Sequence, residues 1–241
     1  MDRLVTTMGI GLMLVLVIRI PTSAQCDSHL KDDSYAFLQV VETYFDLIGE
    51  SSPLYRGVIY SDRYRADKHP FLEENEWTLG TITYDGVYYP SVYLKYDLVN
   101  QLVITTYDFN TVYQLESEKI KQFELRGLTF TKMDPMKTPD NKNVFYELVH
   151  CNRASFLVSR RKSLKEVKDY QSLSTEYPEE DRYYILKDDV LHKVGGKRSV
   201  LTVLEDRKKE LKSYVAKNNL LFSGNTKGAI HRMVSYYNSL P

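Results

Sequence analysis

The sequence is poor in the residues that build the commonest reactive centres. It holds two cysteines, Cys26 and Cys151, and a single tryptophan, Trp77. No CxxC pair occurs, and His29, His69, His150, His192 and His231 form neither HExxH nor H-x-H, so the usual metal-ligand spacings are missing. G-x-S-x-G, the elbow that exposes a nucleophilic serine, is absent as well. His150 and Cys151 are neighbours on a β-like run, where adjacent side chains point to opposite faces, which makes them a poor catalytic dyad. GGKRS, residues 195–199, precedes a helical stretch, but Asp189-Val190-Leu191-His192 stand where a phosphate loop would begin and Arg198 takes the place of its Ser or Thr. Those glycines therefore read as a flexible helix start. Charge of one sign is lacking too: 32 basic residues face 32 acidic ones, leaving no excess to grip phosphates, and nucleic acid is not an expected partner. No Asn-x-Ser/Thr sequon occurs, which leans toward a bacterial envelope over a eukaryotic secretory route.

What the chain does have begins at its first residues. Arg3 precedes an uncharged, mostly apolar run from Leu4 to Ile18, followed by Thr22-Ser23-Ala24, the order of a secretory signal peptide. The run falls short of the roughly 20 residues that span a bilayer, and Arg19 interrupts it. Residues 1–24 are expected to be removed, leaving 25–241 as one β-rich domain with no integral membrane span. Losing Asp2, Arg3 and Arg19 keeps the mature chain near neutral. An oxidising compartment allows one bridge between Cys26 and Cys151; the alternative is a free Cys26 and a buried apolar Cys151.

Periodicity divides the mature chain into three parts. In DSYAFLQVVETYFDLIGESSP the residues Phe37, Leu38, Val41, Phe45 and Ile48 share one helical stripe, with Asp33 or Ser34 as cap and Gly49 and Pro53 as stops. From Leu54 to Val194 about ten short β-rich runs alternate with turns, of which Asp85-Gly86 is the strongest hairpin signal; Asp97 to Asn100 and Phe109-Asn110 give two further reversals. Residues 133–143 and 167–181 read as loops. The tail, 197–240, turns helical: one helix starts near Ser199 with Leu201, Leu204, Leu211, Tyr214 and Val215 on its apolar face, and TKGAIHRMVSYYNSL forms a second. The expected fold is α+β, an antiparallel meander or barrel-like sheet of about ten strands with one N-terminal and two C-terminal helices.

The candidate site lies in WTLGTITYDGVYYPSVYLKY. Strict alternation places Tyr88, Val92, Leu94 and Tyr96 on one face and Tyr89, Ser91, Tyr93 and Lys95 on the other. Pro90 cannot donate to a ladder, and the apolar register shifts at Gly80-Thr81, so a bulge or edge is expected there. A face carrying Trp77, Tyr89, Tyr93 and Lys95 suits a protein partner or a glycan, because phenols offer rigid area with a polar tip. The competing reading is a face simply covered by a helix. Glu73, Glu74 and Glu76 beside His69 read as a solvated acidic turn, since sequence neighbours do not supply the spaced carboxylates of a glycosidase. Lys208, Lys209 and Lys212, interspersed with Glu205, Asp206 and Glu210, read as a solvated helix face.

YDGVYYPSVYLKYDLVNQLVI, FELRGLTFTKM, VFYELVH and VLTVLEDRKKELKSYVAKNNLLF followed by VSYYNSL together resemble a group of exported Gram-negative bacterial proteins, mostly without an assigned biochemical role. The resemblance implies a periplasmic or outer-membrane-associated location and supplies no site residues. The functional expectation is a non-enzymatic envelope protein, without cofactor or metal, that binds or scaffolds a partner. Two alternatives stand beside it: a periplasmic carrier of a lipid or other apolar ligand held between sheet and helices, and a hydrolase of envelope polysaccharide acting through Glu73, Glu74, Glu76 or Asp62.

Overall fold

The computed structural model describes residues 43, 47–61, 68–134, 138, 145–169 and 172–241, with backbone alone at 168–169 and 172–174. Eleven strands form one antiparallel sheet. In chain order these are β1 Val58–Ile59, β2 Thr78–Tyr84, β3 Val87–Asp97, β4 Leu102–Thr106, β5 Val112–Gln114, β6 Ile120–Leu125, β7 Leu128–Lys132, β8 Phe145–His150, β9 Ser155–Ser159, β12 Arg182–Lys187 and β13 Val190–Val194. A separate hairpin pairs β10, Lys165–Asp169, with β11, Ser172–Glu176. Across the large sheet the order is β1-β5-β4-β3-β2-β6-β7-β8-β9-β12-β13. Three helices follow: α1 Lys197–Val203, α2 Lys208–Lys217 and α3 Thr226–Ser239. None among the described residues is long and apolar enough to cross a membrane.

Turn chemistry explains the meander. Asp85 and Gly86 both have positive φ, 50° and 78°, the paired left-handed geometry whose twist matches the strands of a two-residue hairpin. Arg126-Gly127 and Asp188-Asp189 repeat that geometry between β6 and β7 and between β12 and β13. The sheet curls strongly. Tyr96 of β3 and Phe145 of β8 lie four strand spacings apart in the ladder, about 19 Å in a flat sheet, yet their ring centroids are 6.1 Å apart. Tyr96 also meets Phe123 and Phe130 edge-on, each at 5.3 Å, so the concave side is filled by aromatic side chains. Past β9 the chain reaches back across the curl, where Lys162 N donates to Leu98 O and Gln101 Nε2 to Arg160 O.

The helices cover one face of β8, β9, β12 and β13. In α3 the Asn225 side chain accepts from Gly228 N at the start, and Ala229, Ile230, Met233, Val234 and Tyr237 form a buried stripe at helical spacing. Burying each larger one contributes roughly 1.5–3 kcal/mol. They meet Phe156, Val158 and Ile185 of the sheet, so the layer between sheet and helices is filled by side chains. The opposite face of these strands buries Tyr146, Leu157 and Tyr184.

Two expectations are corrected. The helix expected to begin near Ser199 is two helices, broken at a 3-10 turn over Glu205–Arg207. Its apolar spacing runs straight through Leu204 and Leu211, but Asp206 is pulled aside, accepting from Lys187 Nζ at 2.7 Å and from Tyr237 Oη at 2.8 Å. Residues 167–181, read as a loop, contain most of the β10–β11 hairpin, whose ladder sets Lys165 opposite Glu176 and carries only Val167 and Leu173 as larger apolar residues, too few to show a strand period. The expected N-terminal helix is not seen as an element, because residues 37–42 and 44–46 lie outside the described residues. Thr43, Leu47 and Ile48 have helical backbone, and the chain there runs into a 3-10 turn, Gly49–Ser51.

Candidate functional site

The bulge expected near Gly80 and Pro90 is present and reorganises the strand that carries the tyrosines. Gly80 pairs with Val92 and Ile82 with Tyr89, so two residues of β3, Pro90 and Ser91, oppose Thr81 alone. Gly80 is required here, since a Cβ would sit 2.2 Å from Glu124 O. The extra residue reverses the facing of everything before it. Tyr89 therefore turns inward beside Ile82 and is only 3% exposed, which corrects its expected outward position; Tyr93 and Lys95 stay on the opposite face from Val92, Leu94 and Tyr96.

The same bulge opens a cleft. Residues 93–97 of β3 pair with β4, but β4 ends at Thr106, and residues 87–92 pair with β2 alone among the described strands. Where β4 would have continued there is a cavity of about 430 Å³, within the roughly 300–1,000 Å³ of small-ligand sites. Tyr89 and Tyr93 of β3, Tyr55 from the 3-10 turn Pro53–Tyr55 and Tyr107 just past β4 surround it, with Leu79 of β2 at the mouth. Ser52, Ser91 and Thr106 add hydroxyls, and among the described residues no charged side chain lines the space.

Local chemistry fixes these rings. Pro53 sets the first φ of its turn while Ser52 Oγ accepts from Leu54 N at 3.4 Å, presenting Tyr55 to Tyr107 at 5.3 Å between centroids. Thr106 Oγ1 donates to Thr111 O and accepts from Phe109 N, closing the loop after β4. Asp108 Oδ1 accepts from the backbone of Asn110 and Thr111, and those donors, Thr111 foremost, hold its carboxyl below the usual range. Phe109 then packs edge-on against Tyr93 at 4.8 Å. Burial, with Tyr107 and Tyr89 nearby, pushes the Tyr55 phenol up to about 12, so it stays a neutral donor.

Trp77 and Lys95, expected beside Tyr89 and Tyr93, form a different constellation. Lys95 Nζ lies 4.7 Å from the Trp77 ring centroid and 4.9 Å from that of Phe71, and donates to Asn75 Oδ1 at 2.8 Å. It fastens the 70–77 loop across β3 and lies outside the cleft lining. Sequence reasoning missed Tyr55, Tyr107 and Leu79. Their only signal was an aromatic residue next to a turn, for Tyr55 and Tyr107, and an aliphatic residue beside Gly80, for Leu79, since tertiary closure brings them together.

Charged groups gather elsewhere. Glu147, 3% exposed, accepts from Arg160 Nε at 2.6 Å and from Lys227 Nζ at 2.5 Å, and Arg160 also bonds Asp181 at 2.6 Å, tying the start of α3 to β8. Burial opposes the Arg160 charge, but Glu147 and Asp181 together hold its pKa above the ordinary value. Glu73, Glu74 and Glu76 are exposed, and Glu74 pairs with Arg126 at 3.0 Å; Asp62 lies outside the described residues. Gly195 and Gly196 donate their backbone N–H groups to Ser199 Oγ, so the GGKRS amides are occupied by a helix cap. Among the described residues no three His, Cys, Asp or Glu side chains converge as a metal site requires. Cys151 is disulfide-bonded, and Cys26 lies outside the described residues.

Comparison of the chain with family models, curated proteins and solved structures finds no match. The functional reading therefore rests on the geometry.

Proposed function

We propose that this chain is an exported, non-catalytic binding protein of the cell envelope that engages its partner at the tyrosine-lined cleft beside the β3 bulge. The observation that carries the proposal is the convergence of four tyrosines from three separate segments on a concave, uncharged space where β3 has lost its neighbour. Aromatic side chains with polar tips are the residues that dominate binding energy at such surfaces. Export follows from the leader-like order of residues 1–24 and from the family resemblance, and Cys26 is the partner proposed for Cys151 in an oxidising compartment. No cofactor is invoked. The test is replacement of Tyr93 and Tyr107 together by Ser, followed by recovery of the partner from envelope fractions. Partner recovery is expected to vanish while circular dichroism stays unchanged, and to survive Trp77→Ala. Undiminished recovery by the double variant overturns the proposal.

A further inference from the structure

We infer that the ligand of this cleft is a neutral saccharide. The inference rests on the binding reading above and adds the chemical class. An ionic ligand would enter without a counter-charge, because the described lining contains no Lys, Arg, His, Asp or Glu. A wholly apolar ligand would cover the Ser91 hydroxyl and the phenol groups, leaving them facing hydrocarbon. A sugar matches both halves of the surface: its C–H faces lie on aromatic rings, and its hydroxyls exchange hydrogen bonds with phenols.

The phenols are available for that exchange. Those of Tyr55, Tyr93 and Tyr107 make no hydrogen bond within the described residues, and Tyr107 is 46% exposed at the mouth. Tyr55 is partly buried, and its raised pKa keeps the phenol neutral, a donor facing the cleft. Polar groups left without protein partners beside a cavity are the ones a ligand satisfies, and their loss is what a poorer ligand suffers.

The surface continues past Leu79 and Pro90 into a second recess of about 180 Å³ on the other side of the bulge. Gly80, Glu124 and Arg126 line it. Arg126 gives one terminal nitrogen to Glu74, while its Nη2 is buried with no hydrogen-bond partner among the described residues. A donor and an exposed carboxylate, offset from the uncharged cleft by Leu79 and Pro90, suit the hydroxyls of a following sugar unit. The ligand is thus an oligosaccharide that crosses the bulge.

The test is an array of neutral gluco-, manno-, xylo- and galacto-oligosaccharides beside acidic polygalacturonate and heparin fragments, followed by calorimetric titration of the best neutral hit. The exported protein is expected to bind neutral members. Tyr93→Ala and Tyr107→Ala should each weaken binding by about tenfold, and Arg126→Gln should weaken a hexasaccharide more than a disaccharide. Trp77→Ala should leave binding unchanged. A blank neutral array, a preference for the acidic fragments, or binding indifferent to Tyr93 and Tyr107 overturns the saccharide inference. If the array is blank while recovery of an envelope partner still depends on Tyr93 and Tyr107, the saccharide class falls and the cleft reading stands; if neither depends on them, both fall.

Discussion

Replacing Glu147 by Gln tests what holds the helical layer to the sheet. The carboxylate is 3% exposed and accepts two charge-assisted bonds, from Arg160 at 2.6 Å and Lys227 at 2.5 Å. Glutamine keeps the volume but removes the charge and turns half of the acceptor edge into a donor facing two cations. Breaking one side of a buried ion pair costs about 3–5 kcal/mol. Arg160 keeps Asp181, and the Lys227 side chain, 31% exposed, can turn to water, so the low end applies. A loss of about 3 kcal/mol in a chain of this size lowers the melting midpoint by about 6–12 °C. Thermal unfolding followed by circular dichroism measures it, and hydrogen exchange should show faster opening of Thr226–Ser239. In a double-mutant cycle, Arg160→Met should cost clearly less when added to the Glu147→Gln variant than when made alone. A midpoint shift under about 2 °C, or strict additivity, would refute the claim that these charges act as one buried unit.

Three further outcomes follow from the same structure. Gly80→Ala places a Cβ 2.2 Å from Glu124 O, so a loss of about 1–3 kcal/mol is expected in denaturant titration, together with weakened ligand binding as the bulge shifts. His150 has its pKa lowered by burial and then by His231, and His69 by burial and then by Lys162 and Lys95; both bind protons more readily when unfolded. Their contribution to stability is therefore complete above about pH 6.5 and lost as pH falls through their depressed values, and His150→Gln should flatten that acid limb in chemical denaturation. Tyr55, raised to about 12, has the opposite sign: its contribution is complete below about pH 10 and lost as pH rises toward 12. Tyrosinate absorbance in an alkaline titration should show a late phase, shared with other buried phenols such as Tyr96, that Tyr55→Phe diminishes by one residue's absorbance.

Much of the sheet was legible because turn chemistry is local. Asp85-Gly86 announces its hairpin through the residue types that accept positive φ, and Pro90 with Gly80-Thr81 announces the bulge. What the bulge does to facing was not legible. Alternation carried through Pro90 sends Tyr89 outward, whereas one inserted residue sends it into the core. Asp188-Asp189 turns as tightly as Asp85-Gly86, with only aspartate's tolerance of the left-handed region to signal it. The break after Val203 depends on Lys187 and Tyr237 capturing Asp206 from other elements, which no helical period records. Cleft membership failed for the same reason: Tyr55 and Tyr107 are far apart in sequence and meet only because β4 stops at Thr106.

The most direct measurement is photocrosslinking in the native host, with p-benzoylphenylalanine placed in turn at Leu79 and Tyr107 at the cleft mouth and at Leu221, exposed between α2 and α3. Benzophenone inserts into C–H bonds of proteins and sugars alike, so the outcome does not depend on the ligand's class. Crosslinked adducts from positions 79 and 107 but not from 221 are the expected result. Adducts from 221 alone, or none from 79 and 107, would contradict a cleft that engages its ligand at the β3 bulge.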